Sequence, residues 1–161
     1  MRLFNSIIGT IIFLFISCNS NHQKYDQIKE PNIEIVKLYV EEIWNKRNLS
    51  VADSIIGNEF VDPASATGES GPTAFKEIVS SYLVIFPDIK LTIDDLVADD
   101  DKVAWKWTAQ GTHESEIWGI APTYKRVSFS GIIIDQIKDG RIINRWGTYD
   151  RLSLKEQLIE K

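Results

Sequence analysis

Residues 102–113 read KVAWKWTAQGTH, and their spacing decides how the rest of the chain is parsed. Val103, Trp105, Trp107, Ala109 and Gly111 alternate with Lys102, Lys106, Thr108 and Gln110. That period of two marks a strand with one buried face. The same alternation puts His113 on the tryptophan face. Working backwards, Ile89, Leu91 and Ile93 alternate in the same way, and ADDDK (98–102) turns the chain between the two strands. Working forwards, ESEIWGIAPTY (114–124) is a loop into a strand over 125–137. Asp139-Gly140 then makes a hairpin into a strand over 141–150.

The chain before residue 88 has a different period. In NIEIVKLYVEEIWNKRN (32–48), Val36, Val40, Ile43, Trp44 and Arg47 fall at helical spacing, so a helix is expected over 32–46 after Pro31. Ser50 and Asp53 resemble a capping box for a short second helix that Gly57 can close. EFVD (59–62) reads as a short strand, followed by a Pro/Gly/Ser-rich loop through Gly71. Pro72 opens a third helix, whose Phe75, Ile78, Val79, Tyr82, Leu83 and Phe86 form one stripe until Pro87 stops it. Ser153 and Glu156 suggest a last helical turn. Helices first and an antiparallel meander after is an α+β arrangement, with a concave space where helices and curved sheet fail to meet.

The first 17 residues do not belong to that domain. MRLFNSIIGTIIFLFIS has one positive charge, Arg2, and an apolar run that is too short for a bilayer of ~30 Å but suits a signal-peptide core. Cys18, the only cysteine, follows the small residue Ser17 where that core ends. This resembles a bacterial lipoprotein signal, which implies cleavage before Cys18, lipidation of its thiol and a cell-envelope location. Residues 18–30 are polar and read as a tether, leaving 31–161 as one domain without any disulfide. A net charge of −5 argues against a nucleic-acid partner.

Several chemistries lack their signature. There is no G-x-G-x-x-G and no P-loop, and GESG (68–71) is not a nucleophile elbow. His22 and His113 are the only histidines, so a zinc site would need carboxylates for most of its ligands; no metal and no cofactor is expected. Trp44, Trp105 and Trp107 take core-like positions, and Trp118 sits in a loop. The polar groups left near the concave space are His113, Asp135, Arg145, Tyr149 and Asp150. The plain alternatives are a hydrogen-bonded structural histidine, a cross-strand Asp135–Arg145 ion pair, and Asp150 as a helix cap.

Residues 111–150 carry an ordered set of motifs: Gly111-Thr112-His113; Gly119, Pro122 and Thr123; Val127, Phe129 and Gly131; Asp139-Gly140-Arg141-Ile142; then Trp146 and Asp150. This set resembles the SnoaL-like polyketide (ester) cyclases of the NTF2-like superfamily, over about residues 34–150. The resemblance implies a cone-shaped α+β barrel, with N-terminal helices on a curved, mainly antiparallel sheet, an apolar pocket and dimeric assembly. It also implies departures. Family members that close polyketide rings use a pocket carboxylate directly after the tryptophan, where this chain has Gly147. The facing strand has Ile133 where the family often offers His or Asp, and Phe60-Val61-Asp62 is followed by Pro63 in place of histidine.

Hairpin register determines the rest. A two-residue Asp-Gly turn puts Trp146 and Asp150 on the inward face, whereas a three-residue turn with a glycine bulge puts Arg145, Gly147 and Tyr149 there. Asp-Gly suits both. The leading expectation is a lipid-anchored domain whose pocket (Trp44, Trp105, Trp107, Ile133, Arg145, Gly147, Tyr149) binds a small hydrophobic or carbonyl-containing molecule. One alternative is a cofactor-free acid–base cyclase, lyase or isomerase using His113 and Asp150. The other is a homodimeric scaffold with a vestigial pocket.

Overall fold

The computed structural model describes residues 30–61 and 70–160. The signal, Cys18 and all of the tether before Glu30 lie outside the described residues, as do Asp62 and Pro63. Helix α1 (30–38) runs straight into a π-helical stretch, Tyr39–Asn45. A 3₁₀ turn, Leu49–Val51, leads into the short α2 (Ala52–Ile55). The strand expected over 59–62 does not form at 59–61. The chain touches the sheet earlier, where Ile56 bridges Ile142 in parallel and the Gly57 amide donates to the Ile142 carbonyl (2.9 Å).

Helix α3 (Gly71–Ile85) has proline in its first turn and buries Ala74, Phe75 and Val79, as its stripe predicts. Four strands follow: β1 (Lys90–Ala98), β2 (Lys102–Thr112), β3 (Arg126–Lys138) and β4 (Arg141–Tyr149). They form one antiparallel sheet in the order β1-β2-β3-β4. The helices pack on its inner face, and the core lies between the two layers.

Two bulges bend the sheet, each adding a residue to one strand. The first lies between Ile93 and Asp95 on β1. The second resolves the hairpin question in an unanticipated way. Asp139 and Gly140 both have positive φ (50° and 75°), and Lys138 pairs with Arg141, so the turn is the two-residue kind. Ile137 then faces Ile142 while Gln136 faces Asn144, leaving Ile143 as an extra residue. Beyond that slip Asp135 faces Arg145, Ile133 faces Gly147 and Gly131 faces Tyr149. The inward face of β4 therefore carries Arg145, Gly147 and Tyr149.

Helix α4 (Arg151–Ile159) begins one residue after β4, with Asp150 as N-cap accepting from the Ser153 amide (2.9 Å). It turns back over the part of β3 that β4 leaves unpaired. There the Gln157 side chain accepts from the Ser128 amide (2.9 Å) and donates to the Ser128 carbonyl (2.8 Å). Asn45 does the same on β1, donating to the Leu91 carbonyl (3.0 Å) and accepting from the Leu91 amide (2.9 Å). Arg47, at φ 63°, ties the end of the helical arm down by donating to the carbonyls of Trp44, Asn45, Pro87 and Ile89.

Candidate functional site

Between the helices and the inner face of the sheet lies a cavity of about 220 Å³. The helices give it Tyr39, Trp44, Phe75, Ile78, Val79 and Tyr82. The first three strands contribute Leu91, Trp107, Ala109, Phe129 and Ile133, with Ile89 just before them; β4 adds Arg145, Gly147 and Tyr149. The wall is almost wholly aromatic and aliphatic.

The π-helical stretch explains how two of these rings come together. In an α-helix, residues five apart point about 140° away from each other. The wider π turn brings Tyr39 and Trp44 back toward one face, with ring centroids 6.5 Å apart and nearly perpendicular. Trp107 is positioned from the opposite layer by an absence. A Cβ on Gly131 would lie 2.6 Å from Trp107 Cζ2 and 2.5 Å from the Thr148 carbonyl oxygen, so only glycine lets the indole settle on β3.

Behind the cavity wall lies a buried polar network. Asp135 is fully buried and Arg145 is 7% exposed. Arg145 Nε donates to Asp135 Oδ1 (2.6 Å) and Nη2 to Oδ2 (3.1 Å), a bidentate pair between directly opposed residues. Trp105 Nε1 donates to Oδ2 as well (2.9 Å). Arg145 Nη1 donates to the Tyr39 hydroxyl (2.8 Å), and the guanidinium carbon lies 4.4 Å from the centre of that ring. Burial pulls the Arg145 pKa down, but the Asp135 carboxylate more than offsets it, so Arg145 is held above its ordinary value and stays a cation. Burial likewise raises the pKa of Tyr39, keeping its phenol neutral. The Asp135 carboxylate has three donors and stands behind Arg145, so it is not exposed to the cavity as a base.

The residues expected at the site divide sharply. Trp44, Trp107, Ile133, Arg145, Gly147 and Tyr149 line the cavity. Trp105 does not: its hydrogen bond to Asp135 draws it into the layer behind, 1% exposed, against Tyr39. Asp150 is exposed and caps α4. His113 is fully buried beside Phe86 and lines no part of the cavity. The structure does not bring His113 and Asp150 to a common site. Trp118 lies on the surface under the Arg151 guanidinium, 4.8 Å from its ring centre.

Tyr39 and Tyr82 escaped the sequence reading as site residues. Tyr39 stands three residues after Val36 and four before Ile43, so helical spacing alone could have placed it on the buried face. Tyr82 belongs to the α3 stripe and reaches Tyr149, their hydroxyls 3.3 Å apart. Two indole nitrogens of the wall, Trp44 Nε1 and Trp107 Nε1, are buried without a hydrogen-bond partner among the described residues. Among those residues no group of three metal-binding side chains comes together.

The family model for SnoaL-like polyketide cyclases matches residues 34–158. Among solved structures, TsrD from Streptomyces laurentii superposes with a TM-score of 0.73 at 25% identity, over 82% of this chain and 97% of that one. A candidate polyketide cyclase from Acidithiobacillus ferrooxidans gives a TM-score of 0.71 at 27% identity, over 89% and 97% of the two chains. IdmH from Streptomyces antibioticus gives 0.66 at 25% identity, over 80% and 98%. No curated protein matches the chain.

Two outcomes follow from the buried groups. Asp135→Asn leaves Arg145 a buried cation without its counter-charge and should cost ~3–5 kcal/mol by denaturant unfolding. The double change Asp135→Leu with Arg145→Met should recover most of that loss. A single variant as stable as wild type would contradict the network.

His113 governs the second outcome. The Thr123 amide donates to His113 Nδ1 (3.2 Å), which assigns the ring proton to Nε2. Burial holds the His113 pKa below its ordinary value, while the Ser115 backbone carbonyl acts in the other direction. As pH falls through ~6.5 the unfolded chain takes up this proton before the folded one, so stability is full above that pH and declines below it. His113→Gln should flatten the unfolding midpoint between about pH 7 and 5. Parallel wild-type and variant profiles would refute this assignment.

Proposed function

This chain belongs to the SnoaL-like polyketide cyclase family, and on that premise we propose that it binds a small apolar, carbonyl-bearing molecule without offering it a base. One observation carries the reading: among the described residues the cavity wall contains no carboxylate and no imidazole. Ring closure by aldol addition needs a base to take a carbon-bound proton. The position following the tryptophan, where the family resemblance places that base, is Gly147. The one charged group among the described wall residues, Arg145, is balanced by Asp135, so the neutral Tyr39 phenol and Arg145 together suit a carbonyl oxygen. A dry cavity of ~150 Å³ holds benzene. This one, at about 220 Å³, fits one or two rings.

The same reading places the domain in the cell envelope, lipid-anchored through Cys18, as a homodimer joined through the outer face of the sheet. On that face Val97, Ala104, Ile134 and Trp146 lie in one cross-strand row beside Ile132. Val97 is 64%, Ile132 54% and Trp146 47% exposed, a contiguous apolar patch of the kind that marks an interface.

Titration with 2-acetylnaphthalene, followed by tryptophan fluorescence, tests the ligand reading. Saturable quenching is expected, with Asp150→Asn shifting affinity by less than about twofold, because that residue only caps a helix. Absence of saturation, or loss of binding in Asp150→Asn, would sink it. For the assembly, Cys18→Ala should leave the membrane fraction and scatter light as two chains. Unchanged partitioning removes the anchor, and a monomer removes the dimer.

A further inference from the structure

We propose that ligand reaches the cavity between α3 and β4, passing over Gly147, and that the paired hydroxyls of Tyr82 and Tyr149 latch this port. The proposal rests on the binding reading above and adds where the ligand passes and what controls its rate.

Burial locates the port. Tyr39, Trp44, Trp107 and Phe129 are buried, whereas Ile78 and Tyr82 on α3, and Gly147 and Tyr149 on β4, reach solvent. The cavity therefore comes to the surface along the seam between α3 and β4. Among the described residues the bridge from Ile56 covers the outer edge of β4 at Ile142, and no further strand pairs alongside it beyond that point, so the edge from Arg145 to Tyr149 forms one lip of the opening. Gly147 sits on that lip with an ordinary backbone conformation. The nearest atoms to a Cβ there would be Ile133 Cγ1 at 3.0 Å, the backbone oxygen of Ile132 at 3.5 Å and Ile133 Cα at 3.9 Å. The threshold is thus low because it has no side chain, and a side chain built there would stand in the passage.

The hydroxyl contact spans the same seam. At 3.3 Å it is long for an O–H···O bond, whose usual length is ~2.7–2.8 Å, so it is weak. Each ring is seated in its own layer. Tyr82 packs edge-on to Trp44 of the helical layer, at 6.1 Å. Tyr149 packs on Trp107 and Phe129 of the sheet, at 6.4 and 5.9 Å. Parting the hydroxyls separates the layers at the seam and dismantles neither. A weak bond between two well-seated groups is what a latch requires.

Stopped-flow binding of 2-acetylnaphthalene to the full chain separates the possibilities. Tyr149→Phe keeps the ring and removes the latch, so association and dissociation rates should both rise about twofold, the factor expected at the weak end of neutral hydrogen bonds. Gly147→Leu should slow both rates by more than about tenfold, because large side chains obstruct a passage that small ones leave open. Probe that binds with rates unchanged in Tyr149→Phe overturns the latch and leaves the binding reading intact. Weaker affinity in Gly147→Leu at an unchanged association rate makes Gly147 cavity wall and overturns the port. A wild-type protein that does not bind the probe overturns both the port and the reading it rests on.

Discussion

Arg145 and Asp135 face each other across two neighbouring strands, both buried from bulk solvent. A buried bidentate pair tolerates no slip: moving β4 by one residue would point the guanidinium outward and strand the carboxylate in the core. The pair thereby fixes which face of β4 looks inward, and with it the positions of Gly147 and Tyr149. Through Tyr39 it also reaches the helical layer, so the same charge that sets sheet register holds the π-helical stretch against the sheet.

That arrangement determines what the cavity can do. The Asp135 carboxylate behind the wall is occupied by three donors, and the arginine in front of it is occupied in turn. What remains for a ligand is a set of aromatic faces with phenolic and indole groups at their edges. Such a wall rewards shape and a polarisable ring.

Much of this was legible from the chain. The two-residue alternation of β2 and the helical stripe of α3 follow from burial of one face, and both appear where the pattern puts them. Asp150 does what the plain reading allows, capping the helix that follows. What the sequence left open about the face of β4 turned on a single extra residue. Ile143 shifts the register of β4 after a turn that would otherwise have pointed Trp146 inward, and the adjacent isoleucines 142 and 143 are its trace. Asp94 beside Asp95 plays the same part on β1. The π-helical stretch is the helical counterpart, bringing Trp44 round to the Tyr39 ring more closely than 3.6 residues per turn would. Trp105 was legible as buried, but its withdrawal from the cavity depends on a hydrogen bond to a residue thirty positions away. Periodicity carries no information about such a partner.

The two side-chain amides that copy a strand have a bearing on how the molecule lives among its copies. Exposed strand edges invite other chains to add on and grow into aggregates. Asn45 satisfies the Leu91 amide and carbonyl on β1, and Gln157 satisfies those of Ser128 where β4 falls short of β3. Each acts as a one-residue stopper, ending the ladder without another strand. At both points the ladder ends on a side chain, and an incoming strand finds no free backbone pair there.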